Sequence, residues 1–138
     1  MRVLTKCVLC IAVVSLMWSQ GGAAIHDLRC QNATNPRGVK VMHPHLTWIF
    51  DPKPQSRAYQ VLVASSEEKL NANDPDLWDS GRVRSDQKTT QYQGKPLTSF
   101  QRCFWKVRMW SDYDTAGRYS ETAKWLMGLL SFGESQTK

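Results

Sequence analysis

Little in this chain is equipped for chemistry. Among its 138 residues there are three histidines, four cysteines and twelve acids. No Gly-x-Ser-x-Gly elbow raises a serine nucleophile, and no glycine-rich loop is present to cradle phosphate. Internal repeats and low-complexity segments are missing too. Helix-prone sequence is scarce: only residues 66–71, Ser-Glu-Glu-Lys-Leu-Asn, qualify, and they span a turn or two. An excess of one charge sign is also lacking. The formal charge of +6 is mild, and Arg82, Arg84, Lys106 and Arg108 alternate as residues on strands do. Scattered bases of this kind are solvated faces, not the footprint of a nucleic-acid binder.

What is present begins with a leader pattern. Arg2 and Lys6 precede a run from Cys7 to Trp18 that is apolar except for Ser15. Gln20-Gly21-Gly22-Ala23-Ala24 follows, with small residues placed for cleavage. Together these predict a secretory signal peptide over residues 1–24. The run is short for a membrane span, so no stable membrane insertion is expected after cleavage. Localisation is therefore expected to be secreted or periplasmic. Removal of residues 1–24 leaves 138 − 24 = 114 residues and, without Arg2 and Lys6, a charge of 6 − 2 = +4. Cys7 and Cys10 depart with the leader. Cys30 and Cys103 remain, and a cysteine pair in an exported domain invites a disulfide reading.

The rest is punctuated like an all-β domain. Seven strands are predicted, at 27–31, 45–50, 57–65, 77–83, 89–92, 102–110 and 123–130. Asn35-Pro36-Arg37-Gly38, Asp51-Pro52-Lys53-Pro54 and Gly94-Lys95-Pro96 act as stops, because proline cannot donate to a ladder and glycine or asparagine accepts turn angles. Asp79-Ser80-Gly81 reads as a bend inside the fourth strand. Period-2 alternation selects the inner faces: Leu46, Trp48 and Phe50 on the second strand, Tyr59, Val61 and Val63 on the third, and Cys103, Trp105, Val107 and Met109 on the sixth. Phe104, Lys106, Arg108 and Trp110 then point outward. The domain is expected to occupy residues 25–130, with a polar, disordered tail at 131–138.

Several blocks carry a resemblance. They are Leu28-Arg29-Cys30, Asn35-Pro36-Arg37-Gly38, His45-Leu46-Thr47-Trp48, Ala58-Tyr59-Gln60-Val61-Leu62-Val63-Ala64-Ser65, Leu77-Trp78-Asp79-Ser80-Gly81, Tyr92-Gln93-Gly94-Lys95-Pro96-Leu97 and Trp105-Lys106-Val107-Arg108-Met109-Trp110. In order and spacing the chain resembles the N-terminal fibronectin type III-like domain of bacterial α-L-rhamnosidases, family 78 of the glycoside hydrolases. The resemblance implies an immunoglobulin-like β-sandwich. It also implies a setting, because in the family further β-domains follow, and a large (α/α) barrel supplies the carboxylates that hydrolyse terminal rhamnose with inversion. None of those catalytic residues maps onto this sequence. The chain is read as a truncated or split gene product: an accessory module of a rhamnosidase-like protein, not an enzyme, needing no cofactor.

The residues themselves agree. An inverting pair needs two carboxyls roughly 6.5–9.5 Å apart, one of them kept protonated by its surroundings. Asp74, Asp76, Asp79, Asp112 and Asp114 instead fall in turns and short charged runs, where carboxylates are ordinary. His43-Pro44-His45 offers two imidazoles, and with His26 makes a poor donor set for a metal site. Asn32-Ala33-Thr34 fits the glycosylation acceptor pattern, which would stay unmodified in a bacterial protein. In a fibronectin-type topology Cys30 and Cys103 lie on facing sheets. There they either bridge, for about 2–4 kcal/mol, or sit as two small buried hydrophobes. The outward side chains Phe104, Lys106, Arg108 and Trp110 suit a domain interface, unless loops of the same domain cover them. The expected partners are therefore the catalytic and other β-domains of a rhamnosidase. Sugar binding is the competing reading. Trp78, Tyr92, Trp110 and Tyr119 would serve it by stacking on rhamnose-containing glycans, provided their rings are open.

Overall fold

The computed structural model describes residues 24–51, 56–111 and 115–131. All of the expected leader but Ala24, nearly all of the expected tail, the Pro52-Lys53-Pro54 stop, Asp112 and Asp114 lie outside the described residues. Two sheets face each other across one core. The first contains β1 (Ala24–Cys30), β3 (His45–Asp51) and β7 (Thr89–Gln91) in the order β1-β3-β7. The second contains β2 (Arg37–Val39), β4 (Ala58–Ala64), β5 (Trp78–Asp79), β6 (Val83–Arg84), β8 (Arg102–Trp110) and β9 (Ala123–Met127). Its order is β2-β9-β8-β4-β5, with β6 also paired to β4. Among the described residues one short helix, α1 (Glu67–Asn71), follows β4. This is an immunoglobulin-like β-sandwich.

Alternation builds the core. β4 and β8 run antiparallel in unbroken register from Ala58↔Trp110 to Ala64↔Phe104. Val61 therefore lies beside Val107 and Val63 beside Trp105, on the face turned to the first sheet. Leu46, Trp48 and Phe50 project inward from β3, and with Tyr59, Val61, Val63, Trp105 and Val107 they belong to one buried cluster. Trp48 packs edge-on against Tyr59 at 5.3 Å between ring centroids, and its indole N–H points at the Met109 sulfur at 3.2 Å. Trp125 treats Met127 in the same way at 3.3 Å. Sulfur is a weak acceptor, but in a dry core it is what these N–H groups meet.

The structure departs from the seven expected strands in identifiable places. The first strand starts at Ala24 and carries an irregularity between His26 and Arg29, where Asp27 takes a positive φ of 54°. The expected strand at 77–83 divides in two. Asp79 accepts from the Gly81 amide at 2.8 Å, Gly81 sits at φ +68°, and the chain turns to touch β4 twice, as β5 and as β6. β2 was read as a stop. Pro36 cannot donate, but its carbonyl accepts from Leu126 at 3.0 Å and Val39 accepts from Gly128 at 2.8 Å. This three-residue strand thus pairs in parallel with β9 at Arg37 and Val39, too short a run for alternation to show.

Candidate functional site: the outer face of the second sheet

The outer face of β8 was the expected docking surface, and the domain itself covers much of it. The Trp110 side chain is 6 % exposed and Lys106 8 %. Phe104 and Arg108 are half-buried. Of the two readings of Phe104, Lys106, Arg108 and Trp110, an open interface or cover by the same domain, cover is the one that holds for Lys106 and Trp110. The cover comes from two directions. Ser66 caps α1 by accepting from the Lys69 amide at 3.2 Å, which positions Leu70 against Leu62 and Ala64. Phe104 and Tyr119 pack onto that small cluster.

Tyr119 is the centre of a polar and aromatic stack. The Lys106 ammonium lies 4.4 Å from its ring centroid and the Arg108 guanidinium 4.7 Å. Arg108 also lies 5.0 Å from the Trp110 ring, with Arg82 at 5.2 Å from the same ring. Such contacts are favourable, more so where water is excluded. Hydrogen bonds fix the head groups. Lys106 Nζ donates to Asn73 Oδ1 at 2.7 Å, and Arg108 Nε donates to Gln60 Oε1 at 3.0 Å. Gln60 in turn donates through Nε2 to Asp79 Oδ1 at 2.8 Å. Burial lowers the Lys106 pKa, and the neighbouring Arg108 charge adds to the effect. Burial raises that of Tyr119; the charge of Asp79 acts in the same sense and that of Arg108 opposes it. These groups satisfy one another.

The rings proposed for sugar stacking are poorly placed. Tyr92 is 0 % exposed; its hydroxyl donates to the Lys95 carbonyl at 2.6 Å. Trp78 packs edge-on against it at 5.5 Å. Trp110 is buried under the two arginines, and Tyr119 carries the two cations just described. His43 Nδ1 lies 2.8 Å from the Tyr92 carbonyl, which can only accept, so this nitrogen carries the proton. No group of three or more metal-ligating side chains comes together among the described residues. Asp76 accepts from the Ser65 amide at 2.8 Å and from the Ser65 hydroxyl at 2.6 Å, a structural arrangement that ties the end of β4 to the chain before β5.

Cys30, on the first sheet, and Cys103, on the second, both point into the shared core. They stand as free thiols, close enough for the charge of one to raise the pKa of the other.

One feature of this face was not read from the sequence. Where β2, β9 and β8 lie side by side there is a groove of about 360 Å³, lined by Pro36, Arg37, Arg102, Phe104, Lys124 and Leu126 among others. Alternation on β8 placed Arg102 on the same face as Phe104. The parallel pairing that brings Arg37 there has no local signature.

Comparison with known proteins agrees with this architecture. Residues 25–131 match the family model described as the Rha78A-like, N-terminal immunoglobulin domain. An α-L-rhamnosidase of Formosa agariphila is 37 % identical over 108 residues, covering 75 % of this chain and 12 % of its own length. One from an Alteromonas species is 40 % identical over 101 residues, covering 70 % of this chain and 11 % of its own. Among solved structures, the α-L-rhamnosidase of Dictyoglumus thermophilum superimposes with a TM-score of 0.72 at 37 % identity, covering 77 % of this chain and 12 % of that one. The Streptomyces avermitilis α-L-rhamnosidase complexed with L-rhamnose gives 0.69 at 38 % identity, with 78 % and 11 % covered. The chain thus spans about a tenth of the length of these relatives. The match is to their N-terminal module alone, and their catalytic domain has no counterpart in the 138 residues. By fold and by sequence, this chain belongs to the family of Rha78A-like N-terminal immunoglobulin domains.

Proposed function

We propose that this chain is an exported accessory module that docks against the other domains of an α-L-rhamnosidase and serves rhamnoside degradation without cleaving any bond itself. The observation that carries the reading is the match of residues 25–131 to the N-terminal module of far longer proteins, of which the match covers 12 % and 10 %. Physical features support it. Burial and hydrogen bonding engage Lys106, Arg108 and Gln60 of the outer face internally, which suits a rigid scaffold. The carboxylate of Asp76 is engaged in local structure, not poised beside a second acid. Export, to the periplasm or the medium, rests on the leader pattern of residues 1–24. Rhamnose-containing glycans would on this reading be met by the partner domains, since the four candidate rings here are buried or packed.

The test is an assay of purified residues 25–138 on an aryl α-L-rhamnoside, beside the Streptomyces avermitilis relative. No turnover is expected. Size-exclusion chromatography with that relative, shortened to lack its own N-terminal domain, is expected to show co-elution. Turnover that survives purification would overturn the non-catalytic reading, and separate elution would overturn the docking one.

A further inference from the structure

The groove between β2, β9 and β8 has a composition the internal network of the same sheet lacks. Leu126 is central, with Arg37 beside it on one strand and Arg102 on the other. Lys124 stands two residues back along β9, opposite Phe104. From strand geometry, Arg37 and Arg102 are roughly 10 Å apart across Leu126, and Lys124 is about 7 Å along the face. All three basic residues are exposed, while Phe104 and Leu126 are half-buried between them. Lys106 and Arg108 are each held by an oxygen acceptor and an aromatic ring. The side chains of Arg37, Arg102 and Lys124 have no ion-pair partner among the described residues. Like charges on neighbouring strands repel, and an anion seated between them would relieve that repulsion.

We propose that this groove is the docking site for a carboxylate-bearing protein segment, one in which acidic side chains flank an apolar residue. The partner's identity as a rhamnosidase domain rests on the docking reading above; the chemistry of the site does not. Charge complementarity selects the anion. The groove also offers Leu126 and the edge of Phe104 as an apolar floor, which an aliphatic side chain between two carboxylates matches. A neutral sugar fits badly, because its hydroxyls donate as well as accept, whereas arginine and lysine only donate. The Asn35 side-chain oxygen is already taken by the Lys124 amide at 3.0 Å, and Trp125 is buried with no open ring face. An anionic glycan would satisfy the cations but would set hydroxyl-rich rings against the apolar floor.

The experiment is an amide-resolved NMR titration of residues 25–138 at low ionic strength. The probe is a short synthetic peptide with glutamates on either side of a leucine, and its glutamine counterpart is the control. Shifts confined to Asn35, Arg37, 102–104 and 124–126 are expected with the acidic peptide only. The variant Arg37→Gln/Arg102→Gln/Lys124→Gln, which leaves Phe104 and Leu126 in place, should retain the native fold and bind about tenfold more weakly. The matched variant Arg84→Gln/Lys95→Gln/Arg118→Gln, on exposed cations elsewhere, should bind as before. No shift, scattered shifts, or equal weakening by the matched variant would overturn the site. An oligogalacturonate that moves the same amides at lower concentration than the peptide would overturn the protein partner in favour of a saccharide. No rhamnosidase enters this titration, so peptide binding without co-elution faults the docking reading. Co-elution without peptide binding faults the groove.

Discussion

Cys30 and Cys103 approach each other from opposite sheets, and burial pushes each thiol up to about 12. The thiolate is the reactive form, so at pH 8 roughly one thiol in ten thousand would be ionised at such a site. Alkylation of native residues 25–138 should therefore modify neither cysteine, and denaturation should expose two. Zero labels after denaturation would mean that the pair had oxidised to a bridge across the core. The same burial links stability to pH. A thiol whose folded pKa lies above its unfolded value near 8.5 favours the fold at lower pH, and that contribution is lost as pH rises toward 12. Burial raises Tyr92 too, with the charges of Cys103 and Asp76 acting in the same direction. The melting temperature should thus fall progressively above about pH 9. Asp76 works from the other side. Burial opposes its charge, yet the hydrogen bonds from Ser65 and Lys69 and the Lys69 charge hold its pKa below the ordinary carboxylate value. Its contribution is present above the unfolded pKa of about 3.9 and fades as pH falls through the lower folded value. Asp76→Asn should cost about 1.5 kcal/mol at pH 7. Denaturant titrations should show the gap between the two proteins closing below about pH 4; a constant gap would show that the charge is not what stabilises.

Among the elements, the segment after β7 depends on a close approach that only glycine permits. A Cβ on Gly94 would fall 2.3 Å from the Leu77 carbonyl oxygen and 2.4 Å from the Trp78 Cβ. The neighbouring Lys95 amide donates to that same Leu77 carbonyl at 2.9 Å, so the two segments cannot part without losing the bond. Gly94→Ala should destabilise by about 2–3 kcal/mol, read as an earlier denaturant midpoint with unchanged slope. A neutral result would mean that the β5 segment yields freely. Legibility in the sequence followed the same division between local and distant causes. β3, β4 and β8 could be read because their alternation is long and their side chains large. Ser66 and the acids after it announced α1. β2 could not be read, since Arg37, Gly38 and Val39 gain strand character only from β9, nearly ninety positions away. The candidate face was half legible for the same reason. Alternation told that Phe104, Lys106, Arg108 and Trp110 leave the core side of β8, but not that α1, Asn73 and Tyr119 fold back over them.

For the whole molecule, the two sheets share one core, with Trp48 contributed by the smaller sheet and seated against Tyr59 and Met109 of the larger. In the three-stranded sheet β1 meets β3 at five positions, but β7 meets it at only three. What holds the sheet is the apolar face of β3 pressed onto β4 and β8, so neither sheet has a separate core on which to persist alone. Residues 25–131 should consequently unfold in a single transition, with fluorescence and circular dichroism midpoints coinciding. Trp48→Ala removes the largest inward side chain of the small sheet and, with it, the partner of Tyr59. Its cost should be about 3–5 kcal/mol, a large share of the roughly 5–15 kcal/mol that a domain of this kind holds in total. The substitution should lower the midpoint for both sheets together. If instead amide exchange in β1, β3 and β7 quickened while β4, β8 and β9 kept their protection, the large sheet would be an independent unit. The small sheet would then be the part of the module that depends on its partner for order.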